Sequence, residues 1–369
     1  MSAASTSASA APAARGLVRF SEALAAEIFA FQREAYPARR PDWIEPRWRW
    51  MFQQSAARLG VEPMVWLYRG SAGVQAHQGA IAVRLHTSAG ECVTGWFVET
   101  MVLERVRGRA VGPMLVAKAK QDLPFNLSLG QTSQMRELQF RLGWEEVAPL
   151  ETLVFVLNGR AVLANKLPAI ASLPAGIALT MRQRWRHWKG RRQPGSCVVR
   201  EISRFGAAHD RLWARVKSDY AVAVVRDASY LNWKYVEQPG QTFLCLDIVR
   251  GDDVGAVAVI AFQEPSGPYA YRRARLTEVV VPATDEDLVW TLFEAVRHAC
   301  LERGADLIVF DIINDSLVRQ AIRFGFARRS PTRVLLVSVG EQPTEAALLT
   351  RHSANWLITR GDSDIDRPW

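Results

Sequence analysis

Arg107-Gly108-Arg109-Ala110-Val111-Gly112 sets two guanidinium groups among small side chains. Before it runs an apolar stretch, Trp96-Phe97-Val98 and then Met101-Val102-Leu103. After it, Val111, Met114, Leu115 and Ala119 recur at helical spacing. That order predicts a strand, a tight turn and a helix. Such a turn leaves several backbone N–H groups unpaired at the positive end of the helix dipole, which makes a seat for a phosphate or pyrophosphate. Gly108, Ala110 and Gly112 keep side chains clear of it, and Arg107 and Arg109 add charge. Glu99 lies eight residues ahead of Arg107 on the same predicted strand.

Two common phosphate loops are excluded. A P-loop ends in Gly-Lys-Ser/Thr and a dinucleotide fingerprint reads G-x-G-x-x-G, and neither pattern is present here. Arg107-x-x-Ala110-x-Gly112 resembles motif A of the GCN5-related N-acetyltransferases (the GNAT superfamily), which runs Arg/Gln-x-x-Gly-x-Gly/Ala after a splayed strand. Ala110 stands where that family usually has glycine. A second segment, Thr132…Leu138-Gln139-Phe140-Arg141-Leu142-Gly143-Trp144, is similar to the family's later N-x-x-A-x-x-L-Y-x-x-x-G-F.

The resemblance implies acetyl-CoA or another acyl-CoA as co-substrate. It would be held by Met101, Val102 and Leu103 on the strand and by Arg107, Gly108, Arg109, Ala110, Val111 and Gly112 at the loop. It also implies transfer of an acyl group to an amine. Glu99 is the candidate base, and its plain structural alternative is a salt bridge to one of the many arginines. The backbone N–H of Met101 or Leu103 is the expected oxyanion donor. The family's frequent tyrosine acid falls at Gln139, which cannot donate a proton; Ser133 or water is the substitute. No metal site is implied.

The chain around this site has 369 residues, enough for two domains with cores. A net charge of +9 suits anionic partners such as CoA, nucleotide-linked substrates or an anionic membrane surface. Nucleic acid is not expected, because no recognisable nucleic-acid module accompanies the charge. Cys92, Cys197, Cys245 and Cys300 are widely spaced with no C-x-x-C pair, which fits a reducing cytoplasm. No apolar run approaches the roughly 18 residues of a spanning helix. Residues 1–16, rich in Ala and Ser, read as a disordered tail without the apolar core of a secretory signal.

Residues 17 to about 60 read as helical, with Leu24, Ile28, Phe31 and Ala35 on one face. Strands are expected over 64–68, 79–85 and 91–103, a helix from Thr132 (as N-cap) to Leu142, and closing strands over 144–147 and 152–157. From Cys197 the pattern begins again. Trp50 and Trp233, Gly143 and Gly325, and Glu99 and Glu278 recur at spacings of 183, 182 and 179. The expected fold is therefore α/β (α+β), with two tandem GNAT-like domains, 17–157 and 199–340. Each is a mixed, mostly antiparallel twisted sheet flanked by helices.

The second copy reads Pro282-Ala283-Thr284-Asp285-Glu286-Asp287 where the first has its loop. It has three acids and neither glycine nor arginine, so it satisfies its helix dipole internally and repels a pyrophosphate. Asn314 is expected to cap the following helix. The stretch 158–198 is apolar, broken by Pro168, Pro174 and Gly176, and then basic from Arg182 to Arg192. It suits a linker packed across the domains, which is the favoured reading, or peripheral contact with an anionic membrane. The tail 341–369 carries a D-x-D-x-D run without the rest of a calcium loop; it is expected to dock by Trp356 and Trp369 and to line a polar acceptor cleft.

The reading is an acyl-CoA-dependent N-acyltransferase with a small-molecule amine acceptor. Tyr230-Leu231-Asn232-Trp233-Lys234-Tyr235 looks most like bacterial acyltransferases of polysaccharide pathways, which implies an amino-sugar or polysaccharide precursor. A non-enzymatic membrane-surface or complex-forming protein of the same fold, and a Fem-type aminoacyltransferase, are the alternatives.

Overall fold

A computed structural model describes residues 15–123, 125–164, 168–189, 196–340 and 343–366. Residues 1–14 of the expected tail 1–16, Arg191 and Arg192 of the basic run, and Trp369 lie outside the described residues, while Gly16 of that tail already belongs to the first strand. The first half supplies β1 (Gly16–Arg19), β2 (Val65–Gly70), β3 (Gly73–Thr87), β4 (Gly90–Val102), β5 (Phe125–Leu129), β6 (Glu145–Pro149) and β7 (Glu151–Val156). The second supplies β8 (Cys197–Ile202), β9 (Val222–Val224), β10 (Phe243–Arg250), β11 (Asp253–Gln263) and β12 (Arg273–Val280). Then come β13 (Leu307–Ile313), β14 (Ala327–Arg329), β15 (Val334–Val339) and β16 (Trp356–Thr359).

Both halves run through an antiparallel meander into one parallel pair. In the first, β2, β3 and β4 are antiparallel and β5 lies parallel to β4. In the second, β10, β11 and β12 are antiparallel and β13 lies parallel to β12. The closing strands are then exchanged. β7 leaves the first half and pairs with β13 and β14, and β15 leaves the second half and inserts between β5 and β6. β9 pairs with β3, and β16 joins β9 to β13, so one sheet of 16 strands runs through the molecule.

The helices follow their apolar periods. Val111–Asp122 buries Val111, Leu115, Val116 and Ala119. Ser133–Arg141 starts at Thr132, whose hydroxyl accepts from Met135 N, and Asp315–Phe324 starts at Asn314, whose side chain accepts from Leu317 N. Ala25–Ala35 buries Ile28 and Phe31, as the spacing predicts. Leu17 is a correction: it lies in β1, paired with Tyr68, where the sheet edge outweighs the helical pattern. Residues 169–189 are a second one. They form one continuous helix through Pro174 and Gly176; a Cβ at Gly176 would lie 2.5 Å from Arg160 Cα, so this helix packs closely on Gly159–Leu163. Among the described residues, no helix is long and apolar enough to cross a membrane.

Trp50 and Trp233 meet at the centre. Their rings stack with centroids 4.9 Å apart at 18°. Trp50 Nε1 donates to Trp233 O at 2.7 Å and Trp233 Nε1 donates to Trp50 O at 3.1 Å. Each sits in a π-helical turn, Arg49–Gln54 or Asn232–Val236, where the widened helix exposes the accepting carbonyl. Trp50→Phe keeps a ring in place but leaves the carbonyl of Trp233 buried without its donor. It should cost about 1–3 kcal/mol, and Trp50→Ala about 3–5 kcal/mol, read from urea denaturation. A midpoint unmoved by Trp50→Phe would remove the reciprocal bonds from the account of how the halves are held.

Candidate active site

β4 and β5 touch through one parallel pair, Trp96↔Leu127, and then separate. The divergence has a local cause. Between His77 and Gly79 the β3–β4 register slips, and opposite the slip Glu99 takes φ +54°, a left-handed conformation rare for a residue other than glycine. His77 locks this kink. It is buried, its Nε2 faces Trp48 Nε1 at 3.1 Å and its Nδ1 faces Glu99 O at 3.0 Å. An indole N–H can only donate and a carbonyl can only accept. His77 is therefore the neutral Nδ1–H tautomer, and burial lowers its pKa in the same direction.

The space opened by the kink is a groove of about 220 Å³. Phe97 to Met101 form one wall and Ser128 to Gln131 the other, with Thr132, Met135 and Gln139 from the next helix; Tyr36 and Asp364 complete it. Glu99 is buried at its edge. Its Oε1 meets Arg39 Nη2 at 2.8 Å and its Oε2 accepts from Gln32 Nε2 at 3.4 Å. The arginine pairing set beside the base role is thus present. Gln139, where the resemblance implies a tyrosine, is buried and accepts from Ser128 Oγ at 3.4 Å. Ser133 is a correction: Thr132 takes the N-cap, and Ser133 is exposed and does not line the groove. Gln131 was missed. Its amide oxygen and nitrogen are both buried without a hydrogen-bond partner and border the groove; a polar residue at the end of a buried strand was the available signal.

The backbone of β4 distributes its donors by the alternation of an antiparallel ladder. Leu103 N–H donates to Gln75 O at 3.0 Å, which removes it as an oxyanion donor. Met101, paired with His77, is turned the same way. Val102 faces the open side, and its carbonyl accepts from Arg107 Nε at 3.2 Å.

Beyond Val102 the chain makes a 3-10 turn, Glu104–Val106, and enters the loop. Arg107, Gly108, Arg109 and Ala110 are all exposed. Gly108 has φ +81° and Ala110 φ +58°, so Ala110 occupies a left-handed position that disfavours a Cβ by roughly 1–2 kcal/mol. Ala110 caps the Val111–Asp122 helix with no side-chain hydrogen bond, and the first turn has no acid. Pro113 has no N–H, so Val111 and Gly112 carry the orphan donors. A Cβ at Gly112 would stand 3.3 Å from Val102 Cγ2.

The counterpart in the second half is closed from both ends. Asp285 caps its helix, accepting from Leu288 N at 2.9 Å, and pairs with Arg250 at 2.6 Å. β12 and β13 part after Leu276↔Phe310, and the chain itself fills the gap, with Thr359 and Ile358 of β16 pairing with Ile312 and Ile313. Glu278, placed in β12 as Glu99 is in β4, is fully buried there against Arg226 Nε (3.0 Å), Tyr235 OH (3.0 Å) and Thr359 Oγ1 (3.0 Å). Arg226 Nη2 also holds Asp362 at 2.6 Å.

The three carboxylates of the D-x-D-x-D run go separate ways. Asp362 meets Arg226, Asp364 lines the β4–β5 groove, and Asp366 meets the buried Lys234 Nζ at 3.2 Å. Among the described residues no group of His, Cys, Asp and Glu could hold a metal. Trp356 is buried at the start of the tail.

No family model and no curated protein matches the sequence. Solved structures do match. A GCN5-related N-acetyltransferase from Anabaena variabilis aligns with TM-score 0.60 at 10% identity, over 87% of this chain and 71% of that one. A conserved protein of unknown function from Enterococcus faecalis aligns with TM-score 0.57 at 9% identity, over 91% and 73%. The N-myristoyltransferase of Saccharomyces cerevisiae with bound myristoyl-CoA aligns with TM-score 0.55 at 12% identity, over 90% and 85%. At these identities the likeness is one of fold, and the fold is that of the GCN5-related N-acetyltransferases and N-myristoyltransferases.

Proposed function

We propose that this chain is an acyl-CoA-dependent N-acyltransferase, built as two GNAT-like units in tandem. The observation that carries the reading is an asymmetry. The β4–β5 groove is open and ends at an uncapped, basic, left-handed loop, whereas the β12–β13 gap is filled by the chain's own tail and its loop is capped by Asp285. Arg107, Arg109 and the N–H groups of Val111 and Gly112 fit a pyrophosphate.

Acyl-CoA, when bound, supplies a thioester carbonyl. Val102 N–H is the donor placed for the carbonyl oxygen, the role expected of Met101 or Leu103. Glu99 is the group that takes the proton from the ammonium of the acceptor, directly or through water, with Asp364 as a second carboxylate on the same groove. Gln139 fixes Ser128 and cannot protonate the thiolate, so that proton comes from water. The acceptor is an amine, and an amino-sugar or polysaccharide precursor is the class the Tyr230–Tyr235 resemblance favours. Unpaired cysteines and acyl-CoA chemistry both fit a cytoplasmic enzyme. The open loop speaks against the Fem-type alternative.

A second reading concerns the surface on which the protein works, and one observation favours it. The Ala169–Lys189 helix is amphipathic in the inverted sense. Its inner face is mostly small or polar, with Gly176, Thr180, Gln183 and His187, and Leu179 is its apolar contact. Of these, Gln183 Nε2 donates to Gly325 O at 2.9 Å. Its outer face exposes Leu173, Ile177, Met181, Trp185 and Trp188, flanked by exposed Arg182, Arg184 and Lys189. An exposed apolar stripe with basic borders suits an anionic membrane interface.

Three measurements follow from these readings. Calorimetry should show micromolar acetyl-CoA binding in the wild type that Gly112→Glu abolishes; a Cβ at Gly112 would stand 3.3 Å from Val102 Cγ2, so a melting curve checks the variant's fold. Wild-type protein that ignores acetyl-CoA would sink the acyl-CoA reading. With the best acceptor from an amine screen, Glu99→Gln should lower kcat by about 10²–10⁴ while acetyl-CoA affinity stays within about twofold, because the carboxylate is not part of the pyrophosphate seat. An unchanged kcat would shift the base role to Asp364. Cosedimentation with phosphatidylglycerol-containing vesicles, but not with pure phosphatidylcholine, is expected for the wild type and should be lost in Trp185→Glu/Trp188→Glu. Equal behaviour of the two proteins would discard the membrane reading.

A further inference from the structure

A second hollow, of about 340 Å³, opens on the face of β12, β13 and β7 that the Glu286–Glu302 and Asp315–Phe324 helices do not cover. Its floor is apolar, formed by Val154, Val156, Leu307 and Val309. Five arginines converge on it: Arg273 and Arg275 from β12, Arg329 from β14, Arg333 before β15 and Arg360 from the tail. Among the described residues lining it, Asp311 is the sole carboxylate. It is already divided between Thr152 Oγ1 (2.7 Å), Arg360 Nη1 (2.8 Å) and Arg275 Nη1 (3.7 Å).

Such a cluster is electrostatically incomplete. Like charges over a low-dielectric floor repel strongly unless an anion lies among them. Arg273 shows the imbalance most clearly. It is 7% exposed, its guanidinium lies 3.7 Å from the Tyr269 ring centroid, and its buried Nε has no hydrogen-bond partner. The Nε of Arg360, 6% exposed, is in the same condition. Burial, and then the charge of Arg360, push Arg275 down to about 9. Each of these groups would gain from a bound oxyanion, which accepts from several guanidinium donors at once.

The hollow adjoins the acyl-transfer groove. Arg333 and Arg360 also wall an intervening space of about 590 Å³ with Arg39, and that space shares Tyr36 and Gly130 with the groove. We propose that the arginine hollow is the far end of the acceptor cleft, and that it selects an acceptor carrying a carboxylate or phosphate remote from its amine. This rests on the acyltransferase reading above. The hollow belongs to no unit by itself: β7 comes from the first half, β12 and β13 from the second, and Arg360 from the tail.

The test uses the full chain and two probes, inorganic pyrophosphate for a phosphate and tri-galacturonate for carboxylates, titrated calorimetrically. Arg329→Gln/Arg333→Gln alters the rim, where both residues keep solvent contact, and melting curves check its fold. At least one probe should bind the wild type, weaken at least tenfold in this double variant, and bind Gly112→Glu as before. The probe that does so identifies the anion. Binding of neither probe overturns the site, as does binding that the double variant leaves intact. Pyrophosphate binding that Gly112→Glu abolishes belongs to the 107–112 loop and does not count for the hollow, which then stands or falls on tri-galacturonate. Acetyl-CoA titrated into the same proteins keeps the two readings apart. A wild type that takes the anion but not acetyl-CoA keeps the anion site and overturns the acyl transfer on which its role as acceptor cleft depends.

Discussion

Neither half of this chain can finish its own sheet, and the rest of the structure depends on that constraint. An open strand edge is a row of unpaired donors and acceptors. β5 and β13 would each carry one without the strand lent by the other half. Instead β15 covers β5 and β7 covers β13, so each half depends on backbone hydrogen bonds supplied by the other. The Trp50–Trp233 pair repeats the arrangement in side chains, since each indole donates to the other's backbone. Two halves tied by strands and by a buried aromatic pair fold as one body, and a cleft between them keeps its shape.

Within that near-symmetric frame, a few residues separate an open groove from a closed one. Both halves have a register slip and a glutamate at the point where the parallel pair divides. In the first, the strands diverge around open space and the loop beyond carries arginines and small residues. In the second, the tail lies in the gap and delivers Thr359 and Asp362 to the Arg226–Glu278 pair. A buried ion pair contributes little net stability, because desolvation offsets the attraction. Its effect here is positional. Removing either partner would strand a charge in the core, so the tail is held in one register, and that register places Asp364 on the first groove.

What the sequence disclosed and what it withheld divide along physical lines. Local signals were legible: the strand–loop–helix around Gly108 and Gly112, the caps at Thr132 and Asn314, and the acidic turn at Asp285. Each acts within a few residues, so its pattern lies in one stretch of chain. The recurrence of Trp50 and Trp233 was legible as a spacing, while their contact was not, since spacing gives likeness and not proximity. The exchange of β7 and β15 was hidden because an apolar strand carries no mark of which neighbour it joins. His77 was silent for a similar reason: its role comes from a donor and an acceptor on other elements. The helix at 169–189 misled through Pro174 and Gly176, which read as breaks although Gly176 is there to admit Gly159 at close range.

The exchange of strands also decides what surrounds the open groove. Beyond the splayed β4 and β5, the residues around the opening have mixed origins. Tyr36 and Arg39 come from the first half, Arg333 from the segment that leads β15 across, and Arg360 from the tail that closes the second gap. Filling the second gap therefore also shapes the surroundings of the first groove. It holds Arg360 beside Asp311 and Ile365 over Gly130, whose φ of +79° and missing Cβ admit the Ile365 side chain. The same few residues that close one groove line the space leading out of the other. A change that loosened the tail would thus disturb the surroundings of the open groove before it touched the 107–112 loop, because Arg360, Asp364 and Ile365 of the tail wall those spaces, whereas the loop lies between β4 and the Val111–Asp122 helix.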